Sequence, residues 1–122
     1  MTPQLSDPSG ASDPLPCIHC GKRADQLHHA IYQAELRRVA GRDNARFQAL
    51  RSDQRNMVPL CLSHHERHHA RIERLPLACL PDSVYDFALE VLGAGRAYNY
   101  LHRTCSGQDV RLDALLIEAL AA

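Results

Sequence analysis

Apolar positions mark the elements most clearly toward the end of the chain. Val84, Phe87, Ala88, Val91 and Leu92 recur at i, i+3, i+4, i+7 and i+8, the spacing of one face of a helix. Ser83 with Asp86 fits a capping box at its start, and Gly93 fits its stop. A second helix is predicted over residues 95–103 with Ala97 and Leu101 inward. A third, capped by Asp109, repeats the spacing with Leu112, Leu115, Leu116, Ala119 and Leu120. Upstream the pattern is weaker. Residues 27–32 read as a short strand, 33–39 and 45–50 as short helices broken at 41–44, and 51–56 as a loop. Val58-Pro59-Leu60 is extended, because proline restricts the residue before it. Residues 61–74 hold no glycine or proline and favour a helix. Cys17-Ile18-His19-Cys20-Gly21-Lys22 reads as a tight knuckle in which Gly21 supplies the positive φ. Residues 1–16 hold four prolines, three serines, two aspartates and a glycine, too little apolar surface to offset the entropy of ordering, and read as a disordered leader.

Composition narrows the class. A chain of 122 residues with 45% hydrophobic residues, 5% aromatics and no tryptophan supports one small domain with a thin core, of the kind that often needs a staple. Eight histidines and five cysteines are the unusual counts, and seven of the histidines lie between His19 and His69. An odd number of cysteines without a secretory signal favours metal ligation over a disulfide framework. No apolar run approaches the roughly 20 residues of a spanning helix, so no membrane partner is expected and the reading is a soluble, cytoplasmic protein. The net charge of zero conceals an asymmetry: residues 33–74 carry nine cations against five anions, and residues 75–122 three against six.

Ligand spacing then suggests two sites. Cys17-x2-Cys20 and Cys61-x2-His64 are separated by 40 residues, and two such pairs can close a tetrahedral zinc site that ties remote segments together. Cys79 and Cys105 sit in apolar or unpatterned contexts and read as small core residues; His19 and Cys79 are the substitute ligands. His65 and His69 are four apart, so on a helix both imidazoles share a face and can grip one ion. His28 and His29 are adjacent, and on a strand they point to opposite sides. One can ligate while the other accepts a proton near neutral pH. His64 and His68 are also four apart and are an alternative ion pair.

The ordered series Cys17-x2-Cys20, Leu27-His28-His29, Asn56-Met57-Val58-Pro59-Leu60-Cys61-x2-His64-His65-x3-His69 resembles the HNH endonuclease family. The resemblance implies an α+β fold, a zinc-stapled ββα-metal core over residues 17–74, with a helical tail over residues 75–122 packed on or extending it. It implies that His29 is the general base, that His28, His65 and His69 hold the catalytic ion, and that Asn56 braces the loop bearing the base. Cys17, Cys20, Cys61 and His64 would hold a structural zinc. The implied activity is metal-dependent hydrolysis of DNA phosphodiesters, with an all-imidazole ligand set favouring Mn, Ni, Zn or Co over Mg. The tail is similar to those of small HNH proteins of bacteriophages and prophages, which implies a bacterial host cytoplasm and packaging or recombination proteins as further partners. For DNA contact the nominated cations are Arg67, Arg71 and the group from Arg37 to Arg55. The rival reading is a non-catalytic zinc module that binds nucleic acid or protein.

Overall fold

The computed structural model describes residues 15–70 and 73–122. Two strands, β1 (Gln26–His29) and β2 (Met57–Leu60), pair antiparallel with His28 opposite Val58 and His29 opposite Met57. Pro59, which lacks an N–H, faces Leu27, and its carbonyl accepts a bond from the Ile18 amide at 3.1 Å. That bond ties the knuckle to the sheet. Inside the knuckle, the Cys17 amide donates to the Lys22 carbonyl and the Gly21 amide to the Cys17 carbonyl, with Gly21 at φ 75°.

Between the strands runs a helical hairpin, α1 (Gln33–Ala40) and α2 (Asn44–Arg51). Gly41 at φ 62° ends α1, and the Asp43 carboxylate caps α2 by accepting from the Arg46 amide. A 3-10 turn at Gln54–Asn56, capped by Asp53, leads into β2 where only a loop is predicted. The helix α3 (Leu62–His69) follows β2. It is shorter than the predicted 61–74, of which residues 71 and 72 lie outside the described residues. Pro76 confines Leu75 to extended backbone, and β3 (Leu75–Pro76) pairs in parallel with β4 (Cys105–Ser106).

The remaining helices are α4 (Asp82–Leu92), α5 (Ala94–Thr104) and α6 (Val110–Ala121). Val84, Phe87, Ala88, Ala97 and Leu101 are fully buried, as the helical spacing predicts. Asp109 caps α6 through the Arg111 amide. Three details differ from the sequence reading. The Val84 amide bonds to the Pro81 carbonyl, so α4 begins before Ser83 and no capping box forms. Leu120 points into solvent at the end of α6, and Cys79 is exposed. Residues 1–14 of the expected leader lie outside the described residues, whereas Leu15 accepts from the Ala24 amide and Pro16 bridges Arg23. No helix among the described residues is long and apolar enough to cross a membrane.

A single hydrophobic cluster runs from Cys17 through Ile31, Leu36 and Leu60 to Phe87, Leu101 and Leu115. Polar bonds also join the first part of the chain to the C-terminal helices: the Tyr100 hydroxyl accepts from the Tyr32 amide at 2.9 Å, and Arg55 pairs with Glu90 at 2.9 Å. Glu35 on α1 is buried between Arg38 at 2.7 Å and Arg96 of α5 at 2.9 Å. Burial pushes its carboxyl up, but the two guanidinium groups outweigh burial and hold it below its ordinary value of 4.5. A carboxyl lowered on folding adds stability above its unfolded pKa and loses it as pH falls through the folded one. Glu35→Gln is therefore expected to cost about 1 kcal/mol in urea unfolding at neutral pH. The gap from wild type should shrink as pH falls below 4.5. A gap that does not change with pH would show that the ion pairs contribute nothing.

Candidate metal centre

Imidazoles dominate one cleft of the molecule, about 670 Å³ in volume. On α3, His65 and His69 lie one turn apart with their Nε2 atoms 3.1 Å from each other. His28 of β1 is buried and faces them, so that one donor atom from each of the three lies within 4.8 Å of the others. Neighbouring nitrogens bound to one zinc-like ion at about 2.0–2.1 Å stand about 3.0–3.4 Å apart, which the His65–His69 separation matches. His28 Nε2 is buried with no hydrogen-bond partner among the described residues, a condition that costs about 1–3 kcal/mol unless something binds there. Burial and then the neighbouring rings of His68, His65 and His69 push His28 down to about 3, and burial followed by His69 lowers His65. Neutral imidazole is the form that ligates metal. The donor set fits a divalent ion.

His29 follows on the alternate side of β1 and lines the same cleft. Its Nε2 lies 2.9 Å from the Arg51 carbonyl. A carbonyl can only accept, so Nε2 carries the hydrogen, and in the neutral form of the ring the lone pair falls on Nδ1. Asn56 is fully buried and clamps the backbone just beyond His29. Its Nδ2 donates to the Ile31 carbonyl at 2.9 Å, its Oδ1 accepts from the Ile31 amide at 2.7 Å, and its own carbonyl accepts from the Ala30 amide at 2.8 Å.

The thiols form a second cluster. Cys17, Cys20 and Cys61 bring their Sγ atoms within 4.8 Å of one another, joining the knuckle to the start of α3. Cys20 and Cys61 are 3.9 Å apart. That is far beyond the roughly 2.05 Å of a disulfide, and close to the roughly 3.8 Å spanned by two thiolates at about 2.3 Å from one tetrahedral zinc. Burial pushes the Cys17 thiol up, but backbone N–H groups of Cys61, Cys20 and His19 outweigh burial and hold it at about 7. The cluster can hold a metal such as zinc.

His64 is grouped with His19 and Glu73 instead of with the thiols. Its Nδ1 lies 2.8 Å from Glu73 Oε1, and its ring stacks on His19 at 4.7 Å. A half-buried imidazole gains more from a carboxylate at hydrogen-bond distance than from a neutral thiol. His68, the alternative partner of His64, is buried with its Nε2 2.7 Å from His19 Nε2. No known family, curated protein or solved structure matches the chain.

The nominated cations are mostly engaged. Arg55 is held by Asp53 and Glu90, Arg37 lies 3.8 Å over the Phe47 ring, and Arg67 faces Glu73 at 3.4 Å. Arg71 lies outside the described residues. The cleft is instead lined by Arg74 and Arg103, which no motif marks and which the β3–β4 pairing brings to one rim. Glu73 was also invisible to spacing rules, because it follows α3 in no ligand pattern. Asn56 offers a direct test. Asn56→Ala leaves the Ile31 amide and carbonyl unpaired in the interior, and urea unfolding is expected to show a loss of about 3 kcal/mol. A loss under about 0.5 kcal/mol, the size of an ordinary surface substitution, would show that the clamp is dispensable.

Proposed function

We propose that the chain is a metal-dependent endonuclease of the HNH type that hydrolyses DNA phosphodiesters. One observation carries the reading. Three imidazoles, His28, His65 and His69, converge in a cleft beside a fourth, His29, whose Nε2 is held by the Arg51 carbonyl. A pure zinc-binding module has no use for that fourth group.

A divalent ion held by His28, His65 and His69 supplies positive charge to the scissile phosphate and the leaving 3′ oxygen when bound. His29 Nδ1 takes the proton from the attacking water. Asn56 acts as a positioning residue: it fixes Ala30 and Ile31, and so the exit of the strand that bears His29. Arg74 and Arg103 hold flanking phosphates on the rim. Cys17, Cys20 and Cys61 hold a structural zinc that fastens the knuckle to α3 and so keeps β1, β2 and α3 in one ββα-metal unit. The donors to the ion thus come from β1 and α3, and the DNA-facing charge from the residue before β3 and from the end of α5.

Plasmid nicking by purified protein with Mg, Mn, Ni or Zn added in parallel tests the proposal. Wild type is expected to nick, best with Mn, Ni or Zn, and His29→Ala is expected to lose a factor on the order of 10² to 10⁴ while keeping its metal content and circular dichroism. Nicking by His29→Ala at the wild-type rate would remove His29 as the base. Failure of wild type with every metal would end the catalytic reading. Arg103→Ala should weaken DNA binding across sequences and lower the slope of log affinity against log salt by about one. An unchanged slope would place the phosphates elsewhere.

A further inference from the structure

We propose that His19, His64 and Glu73 form a third cation site, made of residues other than the thiols and the His28, His65 and His69 group, that takes a transition ion such as zinc. One donor atom from each lies within 4.8 Å of the other two, and none of the three belongs to either of the other groups. They come from three segments: His19 from the knuckle, His64 from the first turn of α3, and Glu73 from the chain beyond α3.

Hydrogen bonding satisfies this cluster only in part. Glu73 Oε1 meets His64 Nδ1 at 2.8 Å, and its other oxygen faces the exposed Arg67 at 3.4 Å. The His19 ring stacks on His64 at an interplanar angle of 16°, and its Nε2 meets His68 Nε2 at 2.7 Å. Of two ring nitrogens facing each other, only one can donate to the other. His68 Nδ1 is buried with no partner among the described residues. Each ring in its neutral form carries one N–H and one lone pair, so the bond to Glu73 and the single bond between His19 and His68 leave two ring lone pairs with no hydrogen from within the group. A single cation accepts several lone pairs at once. Two imidazoles with one carboxylate form a borderline donor set that suits Zn, Mn, Co, Ni or ferrous iron and, lacking sulfur, differs in preference from the thiol cluster.

An ion here would pin the segment after α3 to the knuckle. Glu73 precedes Arg74 directly, so the site would also fix the approach of Arg74 to the cleft. His64 then belongs to this site and leaves the thiols with three protein donors.

The test is metal counting on the full chain. Wild type, His19→Ala and Glu73→Gln are each equilibrated with excess zinc, dialysed, and analysed by mass spectrometry for zinc per chain. Both variants are expected to hold one zinc equivalent fewer than wild type. After cobalt exchange, both should keep the thiolate-to-cobalt absorption of wild type. Equal zinc in all three proteins would overturn the site. So would loss of the thiolate band in His64→Ala with unchanged zinc in Glu73→Gln, since His64 would then be a thiol-site ligand with Glu73 only bonded behind it. A measurement on wild type covers the case of variants that fail to fold. In imidazole 15N–1H spectra through a zinc titration, the ring nitrogens of His19 and His64 should shift together, and resonances that stay fixed would refute the proposal.

Discussion

One buried amide holds the arrangement in place. Asn56 has no contact with solvent, so its side-chain amide must be matched inside the protein, and the match found is the backbone of Ile31, with Ala30 bonded to the Asn56 carbonyl. That requirement fixes how the exit of β1 sits against the entry of β2. It sends Ile31 into the core ahead of α1, and it leaves His28 facing inward with His29 on the alternate side. A slip of one residue between the strands would exchange the two histidines. The amide therefore sets which imidazole meets α3 and which meets the Arg51 carbonyl.

Two two-stranded sheets are weak frameworks on their own, and the interior here is thin. The chain compensates with polar ties of high specificity. The knuckle is bonded to Pro59, three thiols gather across it, and α3 places its histidines on faces that meet partners from β1 and from the knuckle. Burial lowers the proton affinity of His65 and His68, which eases the mutual repulsion that charged imidazoles on one short helix would suffer. The cost is a set of ring nitrogens that nothing within the described residues fills.

Much of this is legible in the chain, for identifiable reasons. The stripes of α4 and α5 are read correctly because Val84, Phe87, Ala88, Ala97 and Leu101 bury at helical spacing, and Gly93 and Asp109 bound their helices by local chemistry alone. Convergence of His65 and His69 follows from their separation of four. What local spacing does not carry is tertiary competition. His64 has the interval of a zinc ligand, yet Glu73 arrives from beyond α3 and takes its Nδ1. Arg55 has the look of a free cation, yet Glu90 of α4 claims it. The length of α3 is missed because residues 61–74 hold no helix breaker, and the pairing of β3 with β4 that draws the chain into extended backbone lies beyond them.

The parallel contact of Leu75 with Cys105 and Pro76 with Ser106 is only two residues long, but it joins the chain leaving the histidine helix to the end of α5. Through it the rim of the cleft draws on both the histidine-bearing segment and the C-terminal helices, with Arg74 from the first and Arg103 from the second. The two parts can consequently vary on different schedules. Substitutions along the outer surface of α5 can retune the electrostatic character of the opening while every imidazole and thiol stays where it is, so divergence in what the cleft admits need not disturb what it holds.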